Sequence, residues 1–327
     1  MRRRRVLSLI GAAAVWAAGS PAHAQSRSTP VVGFISATAE RGYDHLVDAF
    51  REGLAQSGFV EGQNLRMVFR WANGDYGRLH AFANELATRN VAVVLAASLP
   101  AALAAKAATS SIPIVFLSGA DPVKFGVVQS LASPGGNATG IAQLYGDVGG
   151  KRLQLISEIV PSASRIAILI NRRNPNASEH LDGIEKTGRA LGIPLLVLDG
   201  GQDAEIETAF DAIARAQAGA LLVVDDPYLR QIGERLVSMA NAKRIPAIYF
   251  AREFALSGGL ASYASSSEDN YRKAGVYVAQ ILKGANPAEM PVLQPTEFKL
   301  IINVKTATTL GVTIPPTLLA RADEVIE

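Results

Sequence analysis

A chain of 327 residues, 49% hydrophobic and only 19% charged, has enough apolar side chain for two well-buried domains and excludes intrinsic disorder. The absence of cysteine excludes disulfides, thiolate metal ligands, a cysteine nucleophile and the thiol anchor of a bacterial lipoprotein. The formal charge of +3 invites a nucleic-acid reading, but the basic excess sits in one short segment at the start.

That segment is residues 1–24. Arg2 to Arg5 form a charged stretch, Val6 to Ala18 an apolar one, and Ala22-His23-Ala24 a small-x-small cleavage site. This is the pattern of a secretory signal peptide. The apolar run falls short of the ~20 residues a membrane span needs. Arg3-Arg4-x-Val6-Leu7 makes the leader compatible with twin-arginine as well as general secretory export. Its removal leaves 28 basic against 29 acidic residues, a net charge of −1, so a basic groove for nucleic acid is not expected. The mature chain is expected to be soluble in the periplasm, with no stable membrane insertion and no lipid anchor.

After the leader, apolar runs of strand length alternate with helical patterns. "PVVGFIS" precedes "GYDHLVDAFREGLAQSG", in which Leu46, Ala49, Phe50, Gly53 and Leu54 keep helical spacing. "NLRMVFRWA", a helix in "GRLHAFANELATRN", "VAVVLAAS", a helix in "PAALAAKAATSS" and "IPIVFLSG" follow. Continuously apolar strands between helices predict a parallel sheet covered on both faces. The second half repeats the order with "RIAILIN", "IPLLVLDG", "GALLVVDD" and "IPAIYFA". Val31 to Ile112 spans 81 positions and Arg165 to Ile245 spans 80. That near-equality predicts two doubly wound Rossmann-like α/β lobes facing a central cleft. "GGNATGIAQLYGD" and "GGLASYASSSED" fit two crossovers between the lobes, and a third is expected near Leu293–Thr296. The lobes are then residues 30–141 plus 265–293, and 142–264 plus 294–327. "PPTLLARADEVI" predicts a closing helix.

Ligands of open parallel sheets sit beyond the carboxyl ends of the strands. The candidate residues there are Ser36, Ser98, Ser118, Asn171 and Asn174. Asp121, Asn174 and Asp226 each stand before a proline, the pattern of an N-cap followed by the first helical residue. Helix N-termini carry free N–H groups and partial positive charge, which suits a carboxylate. The N–H groups of Ala101 and Ala102, with Ser98 alongside, are the favoured pair because no acidic cap competes there. Asp121, Asp226 and Glu253 are candidates for a cationic group, and Tyr228, Phe254 and Tyr263 for an apolar body. For each of these, a purely structural cap or packing role is the competing reading. Adjacent residues leaving a strand point apart, so Asp225 and Asp226 make a weak acid–base pair.

Catalytic signatures are missing from the sequence: there is no phosphate loop, no Gly-x-Gly-x-x-Gly after the first strand, no His-Glu-x-x-His and no Gly-x-Ser-x-Gly. His45, His80 and His180 lack metal-ligand spacing and are expected on surfaces or in packing. No metal, cofactor or enzymatic activity is expected.

Long phrases, above all those from Ala101 to Gly140 and from Ile245 to Tyr263, resemble the ABC-transporter substrate-binding proteins that include tryptophan- and tyrosine-binding members. The likeness extends through "LAQSGFVEGQNL", "FRWANGDYGRL", "NPNA" and "LLARADEVIE", essentially the whole mature chain. It implies a type I periplasmic-binding-protein fold with three crossovers. It further implies capture of a small carboxylate-bearing ligand such as an amino acid, by a monomer, for an ABC permease and its ATPase. "VVDDPYL" departs from the Asp-Asn pair of amino-acid binders, and "SATAERGY" is not matched. A ligand-binding sensor subunit is the alternative, and a two-lobed transferase a weaker one.

Overall fold

A computed structural model describes residues 29–143 and 145–327; the expected signal peptide lies outside the described residues. The first half contains β1 (Val31–Ser36), α1 (Asp44–Ala55), β2 (Arg66–Trp71), α2 (Arg78–Thr88), β3 (Val93–Ala96), α3 (Leu99–Ala108), β4 (Ile114–Ser118) and β5 (Ala138–Ala142). These strands form a five-stranded sheet in the order β2-β1-β3-β4-β5, parallel throughout.

Alternation along each strand decides the layering. Phe34 of β1 and Val93 and Leu95 of β3 enter one core, whereas Ile35, Val94 and Ala96 enter the core on the opposite face. Burial on both faces explains why these strands read as unbroken apolar runs.

The second half contains α4 (Tyr145–Ile159), β6 (Ile166–Ile170), α5 (Ala177–Leu191), β7 (Leu195–Asp199), α6 (Asp203–Arg215), β8 (Ala220–Val223), α7 (Pro227–Gln231), α8 (Gly233–Ala242), β9 (Ala247–Tyr249), α9 (Arg252–Leu256) and β10 (Ala261–Ala264). It is completed by α10 (Ser267–Leu282), a 3-10 turn at Pro287–Glu289, β11 (Lys299–Asn303), α11 (Val304–Leu310), α12 (Pro316–Leu319) and β12 (Glu324–Ile326). The second sheet runs β12-β11-β10-β9-β8-β6-β7. Its β7-β6-β8-β9-β10 portion has the same strand order as the first sheet, which accounts for the matched spacing in sequence. Only the β10–β11 pair is antiparallel.

The chain passes between the sheets three times. After β5 it enters α4, which packs on α5 and the second sheet. After β10 it returns as α10, which packs on α1 and on β3, β4 and β5. Leu293 lies beside β5 and bonds to Gly140 and Ala142 before the chain leaves for β11. The α1–α10 contact is close because glycines meet there. A methyl group at Gly53 would overlap the Arg272 carbonyl oxygen, and one at Gly275 would overlap the Phe50 carbonyl oxygen.

Several local expectations are corrected. The closing helix stops after one turn, because Asp323 pairs with the backbone of Leu300 and the β-branched Val325 and Ile326 extend the sheet as β12. Asp121 accepts from the N–H groups of Val123 and Lys124, yet the chain forms turns there and no helix follows. Pro175 precedes α5 rather than opening it: Asn174 accepts from the Asn176 N–H in a turn before the helix, while its amide donates to Asp226. The helix that Asp226 caps is short, and the chain breaks at Ile232 before α8.

Candidate functional site

The loops at the carboxyl ends of β3, β4, β6 and β8 converge between the two sheets. They enclose a small inner cavity of ≈ 60 Å³. The first lobe contributes Tyr43, Leu46, Ser98, Leu117 and Gly119, joined by Ser267 and Tyr271 from the start of α10. The second lobe contributes Asn174, Asn176, Asp225, Pro227 and Arg230. A wider outer cavity of ≈ 470 Å³ shares Tyr43, Leu46 and Arg230 and adds His45, Arg235, Glu253 and Phe254.

Contacts across the cleft hold the two sides together. Tyr76 donates to Asp226 at 2.6 Å. His180 Nε2 lies 3.2 Å from the Gly119 carbonyl oxygen, and the Asp121 N–H donates to Glu179 at 3.1 Å. His45 meets Glu253 at 3.3 Å, and Glu253 also accepts from Arg230 at 2.8 Å.

Asp225 is the unusual group in the inner cavity. Among the described residues its carboxylate accepts no hydrogen bond, and burial raises its pKa against the nearby charges of Arg230 and Arg152. Asn176, only 4% exposed, presents an Oδ1 with no hydrogen-bond partner. Polar groups left without partners are costly, so a cavity lined by Asp225 and Asn176 favours a polar guest. Tyr43 and Tyr271 share a 2.9 Å hydroxyl–hydroxyl bond and stand edge-to-face at 5.9 Å, making an aromatic wall with Leu46 and Leu117.

Of the residues expected from sequence, Ser98 and Asn174 line the inner cavity, and Glu253 and Phe254 line the outer one. The others lie elsewhere. Ser36 bonds Thr38, and Ser118 bonds the Ala120 carbonyl within its own loop. Ala101 and Ala102 are fully buried, their N–H groups taken by the hydroxyl and the carbonyl of Ser98. Asp121 sits in a turn against Glu179. Asn171 donates to Asp226, which caps α7. Tyr228 bonds Asp203, and Tyr263 stacks on Phe298 at 5.8 Å.

Tyr43, Asn176, Arg230 and Tyr271 were not singled out from sequence, and Asp225 was weighed only as half of a weak acid–base pair. The signal for Asp225 was its place before an Asp-Pro cap, whose own carboxylate is committed to its helix. The tyrosines, 228 residues apart, carried none.

Two parallel sheets of matched order, crossed three times and closing on a lined cavity, define the class of type I periplasmic-binding proteins. Residues 31–326 match the family model described as ABC transporter substrate binding protein, and the chain belongs to that family. It is a family of solute-binding proteins rather than enzymes, and its members are generally extracytoplasmic. The chain is 27% identical to the tyrosine-binding protein of Clostridioides difficile (strain R20291), over 80% of this chain and 75% of that protein. A conserved domain protein of Vibrio cholerae superposes with a TM-score of 0.84 at 28% identity, covering 91% of this chain and 99% of that one. A domain from Streptococcus pneumonia solved in complex with L-Trp gives 0.83 at 25% identity, covering 91% and 100%. No described helix is long and apolar enough to cross a membrane, and no metal-binding cluster occurs among the described residues.

Proposed function

We propose that the protein captures a free amino acid with an apolar or aromatic side chain in the periplasm and delivers it to an ABC permease. The observation that carries this reading is the half-buried Asp225 carboxylate, which accepts no hydrogen bond among the described residues and lines the interlobe cavity. A carboxylate partly withdrawn from water favours a cationic partner, and an α-ammonium supplies one. Ser98, Asn174, Asn176 and Arg230 offer donors for the α-carboxylate. The tyrosine pair and the outer cavity suit the side chain. The tyrosine-binding and tryptophan-bound relatives support the ligand class. Family membership supports delivery to a permease and its ATPase.

The test is a thermal-shift screen of the twenty L-amino acids with simple carboxylates and amines as controls. Ligand at a hundred times Kd stabilises by about 2.7 kcal/mol, so the true ligand is expected to raise Tm clearly. A screen in which carboxylates lacking the amine work as well as amino acids, or in which nothing shifts Tm, would sink the reading.

A further inference from the structure

We propose that Tyr76 is a clasp residue, which sets ligand affinity by holding the lobes closed through Asp226 without touching the ligand. The affinity arm rests on the ligand-binding reading above; the closure arm does not.

The loop after β2 is bound firmly to the first lobe. The N–H groups of Ala72, Asn73 and Gly74 donate to the carbonyls of Ser36, Thr38 and Ala37 at 2.9, 3.0 and 2.8 Å. Asn73 and Gly74 take φ of 54° and 79°, so the chain reverses there and presents Tyr76 to the opposite lobe. The loop lies directly on α7: a Cβ at Gly74 would come within 2.9 Å of the Tyr228 ring.

Across the cleft, Asp226 is 2% exposed and surrounded by donors. The N–H groups of Tyr228 and Leu229 reach it at 2.8 and 3.0 Å, Asn174 at 2.8 Å and Asn171 at 3.2 Å. All of these belong to the second lobe and stay in place if the lobes separate. Tyr76 alone reaches it from the first lobe, at a 2.6 Å distance typical of a hydroxyl on a carboxylate. Tyr76 lines neither cavity. The clasp ends one residue from Asp225, on the cap of the helix that carries Arg230.

A bond present only in the closed form enters the open–closed equilibrium as a constant factor for every ligand. Tyr76→Phe removes this bond together with the 3.4 Å bond that Asn171 donates to the Tyr76 hydroxyl, a loss of at least about tenfold in that equilibrium. Ligand enters the open form, so the loss falls on koff rather than kon.

The experiment compares wild type with Tyr76→Phe. Stopped-flow binding of L-tyrosine and L-tryptophan gives kon and koff, and small-angle scattering of the unliganded proteins gives their dimensions. For each amino acid that binds, the clasp predicts koff raised at least about tenfold, kon raised only in proportion to the gain in open unliganded protein, and the ranking of ligands preserved. It also predicts a more expanded unliganded variant with an intact circular-dichroism spectrum. Unchanged koff overturns the proposal, as does a loss that differs between the two ligands, which marks direct contact. If neither amino acid binds, the ligand reading fails and scattering decides alone: identical unliganded profiles overturn the clasp.

Discussion

Asp225 and Asp226 are chemically identical neighbours with opposite fates. Side chains leaving a strand alternate in direction, so one faces the cavity and the other faces Asn171, Asn174 and Tyr76. The Asp-Pro pattern drew attention to Asp226, yet the capping bonds that make the pattern recognisable also consume its acceptors. On the proposed reading, Asp225→Asn is expected to weaken ligand binding by about 3 kcal/mol, more than a hundredfold in Kd, because an α-ammonium loses its counter-charge. The same change removes a half-buried charge that accepts no hydrogen bond among the described residues and is expected to leave the unliganded Tm equal or higher. Calorimetric titration together with melts of the unliganded protein checks both; weaker binding with a lower unliganded Tm would assign Asp225 to structure instead.

At the scale of elements, the α1–α10 pair aligns much of the first-lobe wall of the cavity. α1 carries Leu46 and is preceded by Tyr43, while α10 carries Ser267 and Tyr271. Gly53 and Gly275 let the two backbones touch. Gly275→Ala introduces a methyl where the Phe50 carbonyl already lies, and the neighbour is backbone that cannot rotate aside. Overpacking of this kind costs about 1–3 kcal/mol. A fall in denaturant midpoint with unchanged m-value is expected, with weaker ligand binding because Tyr271 is displaced. Unchanged stability would show that the helices separate without cost. The helical spacing of α1 was legible from Leu46, Ala49, Phe50, Gly53 and Leu54, and residues 265–293 were placed in the same lobe, whereas the contact between the two helices was not. The closing segment was misjudged for a related reason. A one-turn α12 and the short β12 depend on the Asp323–Leu300 bonds and the open edge of β11, which no local pattern reveals.

For the whole molecule, pH reports on the closed arrangement. His180 is buried against Gly119 of the opposite lobe, and burial lowers its pKa to about 4. The folded protein therefore keeps it neutral while the unfolded chain takes up a proton below about 6.5, so stability falls with pH between about 6.5 and 4. His45 has the opposite sign. Its bond to Glu253 raises its pKa, so its contribution is complete below 6.5 and fades as pH rises through the folded value. His45 is 40% exposed and its ion pair is screened by solvent, so His180 dominates. Glu253, which burial pushes up but Arg230 and His45 pull down to about 2, acts only at lower pH. Relative to His180→Gln, the wild type is expected to lose about 2–3 kcal/mol from pH 6.5 to 4.5. The comparison also cancels the opposing contribution of Asp225 and Asp226, whose pKa values burial raises. Chemical denaturation of both proteins at several pH values measures this; a difference independent of pH would mean that His180 is not held neutral.

The sequence by itself determined the layered α/β class, the duplicated strand order and the non-enzymatic family. Those features rest on periodicity and short-range pattern, such as buried runs in β3 and β8 and the equal 81- and 80-residue spans. Only the tertiary structure decided which polar side chains face the cavity. Ser98 and Asn174 were legible because they lie in loops that follow strands, but Tyr43 and Tyr271 meet only through the α1–α10 pair, and Asn176 and Arg230 face them only across the lobes. It also decided which polar groups were already spent: Asp226, Ala101 and Ala102 satisfy their own helices and loops, whereas Asp225 and Asn176 line the cavity, Asn176 with an unpartnered Oδ1. The physical reason is competition for hydrogen bonds, which local residue type starts and three-dimensional proximity settles.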